Sequence, residues 1–267
     1  MIMKYLLALL IASAILAGCS SSKDNRTENA KANHDRFSAK FKDISEIADL
    51  KQLTSSQKDI LPFFSPSGDR IYFSRLLIES KDDPVAMLSE SNQSHFSLNY
   101  RTGKLYMLQA VPEPPRQNVV GEEELPDMVI ENPLYGIRYD SVLFFNTEGG
   151  TGGANWTIYK LVNDSLSQIT YGSEGSLLNV ISPNGRYMAF TYGNEHLRLV
   201  VMDTETEQFY IVPRSTVESD LFDFAPQFSP DSKYMVFLRS GELYEKKLDP
   251  FGDIWLVSFK DSSSSSE

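Results

Sequence analysis

Three histidines, one cysteine, a glycine run and two acidic clusters are the residues of this 267-residue chain whose types and spacing could support chemistry. A zinc-like ion needs three or four nitrogen, sulfur or oxygen ligands around one point. His34, His95 and His196 are the only histidines, and His34 lies in a polar N-terminal stretch, so a three-histidine site inside the folded part is excluded. His95 and His196 each begin a predicted strand and, with an Asp or Glu, could complete a two-histidine site. The plainer reading is a strand-end imidazole satisfied by its neighbours. Gly172-Ser-Glu-Gly-Ser176 matches the nucleophile elbow of serine hydrolases only superficially. Glu148-Gly-Gly-Thr-Gly-Gly-Ala154 lacks the Lys-Ser/Thr of a phosphate loop and opens a strand instead of a helix. No metal or cofactor is expected. A divergent hydrolase or lyase working through acidic residues stands as the alternative to a non-enzymatic role.

The acidic clusters fall in long connections. Glu79, Asp82, Asp83 and Glu90 lie between Leu76 and Ser94, and Glu122, Glu123, Glu124 and Asp127 lie between Val111 and Pro133. They read either as solvated insertions or, with His95 and His196, as a binding site for a basic or mixed protein surface, with a peptide or glycan as the lesser expectation. Pro112-Glu-Pro-Pro115 reads as a stiff spacer or, as the lesser expectation, a short polyproline recognition element. The chain has 25 Lys plus Arg against 36 Asp plus Glu, a net −11, which makes nucleic acid and bare anionic lipid poor partners.

The elements that must position these residues are set by a repeat. Leu61-Pro-Phe-Phe-Ser-Pro-Ser-Gly-Asp-Arg-Ile-Tyr-Phe-Ser74, Leu178-Asn-Val-Ile-Ser-Pro-Asn-Gly-Arg-Tyr-Met-Ala-Phe-Thr191 and Ala225-Pro-Gln-Phe-Ser-Pro-Asp-Ser-Lys-Tyr-Met-Val-Phe-Leu238 are three copies, with a worn fourth at Tyr135–Asn146. A self-similar unit of this length signals a repeat architecture. Proline fixes φ at the second position of a β-turn, and the Ser-Gly, Asn-Gly or Asp-Ser beside it tolerates turn conformations. The apolar runs that follow are continuous, as in strands covered on both faces. Two further strands follow each hairpin: 95–100 and 104–108, 156–162 and 166–170, 197–203 and 208–212.

Each unit is therefore a four-stranded antiparallel sheet, and the fold class is all-β. Small two-sided sheets are best buried by packing blade against blade around an axis, which predicts a β-propeller of about four blades, with a degenerate fifth left open. The last unit is one strand short after 253–259. Ala48-Asp-Leu-Lys-Gln-Leu-Thr54 resembles the fourth strand of the second unit, so it is predicted to complete the final blade and close the ring. In such a ring the long segments 76–94, 111–133, 217–223 and 239–252 gather on one face, opposite the Ser-Pro turns.

The pattern Leu-Thr, apolar strand, Ser-Pro-Asp/Asn-Gly, aromatic strand resembles the TolB-like (WD-like) β-propeller repeat of bacterial envelope proteins, over roughly residues 48–260. The resemblance implies a propeller that serves either as a periplasmic protein-binding scaffold or as a domain attached to a peptidase. Fewer blades and the lack of a second domain in this sequence leave neither role automatic.

Residues 1–18 carry one early lysine and the apolar run Leu6–Leu16, which reads as a signal peptide. Leu16-Ala17-Gly18-Cys19 resembles the lipobox of bacterial lipoproteins, which implies that Cys19 becomes the acylated first residue. Acyl chains supply about 0.8 kcal/mol per buried methylene, enough for two or three of them to anchor a protein to a membrane. Ser20 stands where an Asp would resemble an inner-membrane retention signal, so the expected location is the outer membrane, facing the periplasm. Residues 19–44 are expected to form the lipidated cysteine and a disordered tether, 45–260 the propeller domain, and 261–267 a Ser-rich tail. The expected partner is an unidentified protein of the cell envelope.

Overall fold

A computed structural model describes residues 36–77, 92–115, 119–120, 133–148, 156–171, 175–193, 197–214, 222–240, 243–244, 247–248 and 251–260. The chain enters through β1 (Phe41–Asp43) and β2 (Ala48–Gln52), joined by a 3-10 turn at Ile44–Glu46. Blade 1 follows as β3 (Asp59–Phe64), β4 (Ile71–Leu76), β5 (Gln93–Asn99) and β6 (Lys104–Leu108). Blade 2 comprises β7 (Val119–Val120), β8 (Pro133–Tyr139), β9 (Val142–Glu148), β10 (Trp156–Val162) and β11 (Ser165–Gln168). Blade 3 comprises β12 (Ser176–Ile181), β13 (Tyr187–Tyr192), β14 (Arg198–Asp203) and β15 (Phe209–Ile211). Blade 4 is built from β16 (Phe222–Phe228), β17 (Tyr234–Ser240) and β20 (Asp253–Phe259), with the hairpin of β18 (Leu243–Tyr244) and β19 (Lys247–Leu248) inserted before its third strand. These are the four antiparallel sheets of a four-bladed β-propeller, and β2 pairs antiparallel with β20 as the fourth strand of blade 4, as the sequence predicts.

The repeated turn owes its shape to the serine before proline. Ser65, Ser182 and Ser229 donate their N–H to the carbonyl five residues on, at 2.9, 2.8 and 2.8 Å. The amide of that fifth residue returns to the serine hydroxyl at 3.2 Å for Arg70 and 2.9 Å for Tyr187 and Tyr234. The hydroxyl in turn donates to Asp69, Asn184 or Asp231. The amide and hydroxyl of the serine are thus both used within the turn, which is why it can recur in otherwise different sequence.

The turns also touch one another. Tyr139 of blade 2 packs over Gly185 of blade 3, so closely that a side chain on that glycine would collide with the ring. The hydroxyl of Ser232 in blade 4 accepts the amide of Asn184 in blade 3 at 3.0 Å. Pro230 of blade 4 lies beside Gly68 of blade 1. The blade order is therefore 2, 3, 4, 1.

The core repeats that order in three seams. Along β17, Val236 and Leu238 meet Ile71, Phe73 and Leu98 of blade 1, while Met235 and Phe237 meet Ala189, Leu199 and Val201 of blade 3. Along β13, Met188 and Phe190 join Ile137, Phe144 and Ile158 of blade 2. Successive side chains of one strand point to opposite faces, so a strand between two neighbours must be apolar throughout. That accounts for the unbroken runs after the turns.

The N-terminal boundary requires a correction. The expected tether over 19–44 ends earlier: β1 adds to blade 3 as a fifth strand, parallel to β15, with Phe41 opposite Phe209. Phe37 is buried among Phe41, Tyr192 and Phe209, with ring centroids 5.0–5.7 Å away. Two phenylalanines four residues apart supply enough apolar surface to hold this otherwise polar stretch against the outer end of the seam between blades 2 and 3. Residues 1–35 lie outside the described ones.

Candidate binding site on the loop-bearing face

The Ser-Pro turns occupy one end of the blades. At the other end lie the start of each innermost strand, the end of the second and the start of the third, and there the chain leaves for its long connections. Glu79, Asp82, Asp83, Glu90, Glu122, Glu123, Glu124, Asp127 and His196 all belong to those connections and lie outside the described residues. At the described strand ends of this face the structure places a network of buried charge that spans blades 1 and 4.

Its units come from the repeat itself. Asp59 stands six residues before Ser65 and Arg75 ten after it; Asp223 and Arg239 hold the same offsets from Ser229. The antiparallel register sets each aspartate directly opposite its arginine. Arg75 donates from Nε and Nη2 to the two oxygens of Asp59 at 2.6 and 3.2 Å, and Arg239 does the same to Asp223 at 2.7 and 3.1 Å. Both carboxylates are fully buried. Each planar guanidinium also lies over rings, Arg75 over Phe73 and Phe96, and Arg239 over Phe237 and, at 4.8 Å, Trp255. Two-point hydrogen bonding with aromatic stacking is a combination that arginine supplies and lysine does not. The pairs tie the innermost strand to the second strand where the loops depart.

Two further groups complicate this clamp. Arg214, with 8% of its side chain exposed, brings Nε to 3.6 Å from Asp223 and donates from Nη2 to the Leu197 carbonyl. Its Nε has no hydrogen-bond partner among the described residues, and burial pushes its guanidinium below the ordinary arginine range, against the opposing pull of Asp223. Asp253 is buried beside the first pair. Its carboxylate accepts the Gln57 amide at 2.8 Å and the side-chain amides of Gln52, at 2.9 Å, and Gln57. Burial, joined by the charge of Asp59, nevertheless raises its pKa above the usual carboxylate value. The face thus holds two aspartates on arginines and a third on neutral amides.

His95 is a described member of the predicted site. Its Nδ1 lies 2.8 Å from the Ser74 hydroxyl on the neighbouring strand, on the face of blade 1 turned away from blade 4. Serine and histidine in contact are two parts of a nucleophilic arrangement, but Ser74 is 7% exposed and no carboxylate bonds the imidazole among the described residues. No group of three or more His, Cys, Asp or Glu is placed to hold a metal ion among the described residues.

An open cleft of about 290 Å³ runs between blades 1 and 4 along Leu53, Thr54, Ser55, Ser56, Arg75, Leu98 and Leu105. It lies where β2, the outer strand of blade 4, faces β6, the outer strand of blade 1. The sequence reading did not anticipate it, because it depends on which two outer strands become neighbours.

No protein-family model and no curated protein matches the chain. Solved structures do. TolB from Acinetobacter baumannii is 16% identical over 78% of this chain and 45% of its own, with a TM-score of 0.29. The tricorn protease is 14% identical over 66% of this chain and 15% of its own, at 0.31. Regucalcin, a calcium-binding protein from Agrobacterium tumefaciens, is 11% identical over 80% of this chain and 95% of its own, at 0.30. The chain spans less than half of the TolB structure.

Proposed function

We propose that the protein is a lipid-anchored β-propeller of the bacterial cell envelope whose loop-bearing face binds a protein partner. The observation that carries this reading is the asymmetry of the scaffold. One end is formed by compact turns whose serines bond within the turn, whereas the described strand ends from which the long connections leave lie at the other end, beside a network of paired, buried charge. Rigid support beneath long loops is the arrangement in which binding residues are usually held. The anchor rests on Leu16-Ala17-Gly18-Cys19, and Ser20 favours the outer membrane, facing the periplasm.

Crosslinking the intact protein in its own cells, followed by mass spectrometry, is expected to recover one envelope protein that is lost when residues 79–91 are deleted. Unchanged recovery with that deletion and with one of 111–133 would remove the site from this face. Cys19→Ser is expected to abolish labelling by palmitate and to release the protein from membranes; a variant that still labels refutes the anchor.

A further inference from the structure

The outer edge of blade 1 differs from that of blade 3. In blade 3 the last strand, β15, is covered by β1, which adds to it in parallel and brings Phe37 and Phe41 to rest on the core. In blade 1 the last strand is β6, and among the described residues nothing pairs with its outer edge. Its apolar side chains are in the open: Leu105 is 44%, Tyr106 46% and Met107 72% exposed. An exposed apolar edge strand is a template for another strand, and proteins ordinarily protect it with charge, proline or a bulge.

From this edge we infer a second docking site, in which β6 accepts an extended, acidic and apolar peptide segment of another protein as a fifth strand of blade 1. It goes beyond the loop-face reading, because it lies on the rim of the propeller. The chemistry of the occupant follows from the two faces of β6. Leu105 pairs with Leu98 and Met107 with Phe96, so both point to the side of the cleft. Tyr106 pairs with Ser97 and points to the opposite side, where the Arg70 guanidinium lies 5.0 Å from its ring and donates to the Ser97 hydroxyl. Arg101 and Lys104 stand exposed where the strand begins. Asp69 is the acid beside Arg70, at 3.7 Å.

An added strand would set apolar side chains beside Leu105 and Met107, and between them a carboxylate toward Arg70. The pattern is apolar, acidic, apolar. A second copy of β6 is a poor occupant, because antiparallel self-pairing about Tyr106 would bring Arg70 toward its own counterpart and offer it no carboxylate.

The test uses the full chain and a fluorescein-labelled, end-capped heptapeptide alternating valine and glutamate, with binding read by fluorescence anisotropy. Saturable, salt-sensitive binding is expected, weakened about tenfold or more when lysine replaces glutamate in the peptide, when its central residue is proline, or in the protein variants Met107→Glu and Lys104→Glu. Both protein substitutions fall on exposed side chains, and unchanged thermal melting checks the fold. Absence of binding, equal binding of the lysine peptide, or unchanged binding by both variants overturns the inference. So does a dimer, seen by sedimentation without peptide, that Met107→Glu dissolves. Deleting residues 79–91 leaves peptide binding intact if the rim is the site, so this proposal and the loop-face reading fail separately.

Discussion

Asp223 shows how an internal repeat assigns structural charge. One carboxylate sits between Arg239 and Arg214, all three out of water, so removing its charge strands two guanidiniums. Asp223→Asn is expected to cost about 3–5 kcal/mol in urea unfolding, the penalty of an uncompensated buried ion. Asp253 makes a different prediction. Its carboxyl is protonated in both states at low pH. As pH rises past the ordinary carboxylate value, the unfolded chain ionises first, and the folded state loses stability until its own raised pKa is passed. Asp253→Asn is expected to remove that loss, so melting temperatures measured from pH 4 to 7 should shift in favour of the variant as pH rises. A constant offset between the two proteins would show that Asp253 is not strained. Both pairs were open to sequence reading, since aspartate and arginine recur at the same offsets from Ser65 and Ser229. Only the strand register reveals that those offsets mean contact.

Among the elements, the turns and the strands after them were legible because their causes are local. Proline and glycine fix the turn, and an unbroken apolar run reports two covered faces. The role of β2 was legible too, from a blade one strand short. The place of β1 was not, because lysine, serine and aspartate surround Phe37 and Phe41 and their partners Tyr192 and Phe209 are more than 150 residues away in sequence. Phe37→Ala tests the element directly. Loss of a buried ring costs about 3–5 kcal/mol where the site cannot collapse. The larger part of that should appear as a lower urea midpoint, with susceptibility to protease appearing first near residues 36–43. An unchanged midpoint would mean that β1 is not part of the stable fold.

For the molecule as a whole, three shared apolar seams link the blades in the order 2, 3, 4, 1, so no blade can lose its packing without exposing a neighbour's. Unfolding is expected to be a single transition. The two tryptophans report on different blades, Trp156 on blade 2 and Trp255 on blade 4. In Trp255→Phe and Trp156→Phe, the fluorescence midpoint of the remaining tryptophan should coincide with the midpoint seen by far-ultraviolet circular dichroism. Separate midpoints within either variant would show that blades melt independently.

The pairing of β2 with β20 has a consequence for the order in which this protein comes into being. Gln52 hydrogen-bonds Asp253 across 201 residues of sequence, so the strand that completes the last blade is among the first portions of the fold to be synthesised. It must wait, unpartnered, while blades 1 to 3 are made. Contacts so distant in sequence form slowly, because the loop between them must close first. A chain halted before residue 253 therefore has no finished fourth blade, and completion of that blade is tied to the arrival of β20.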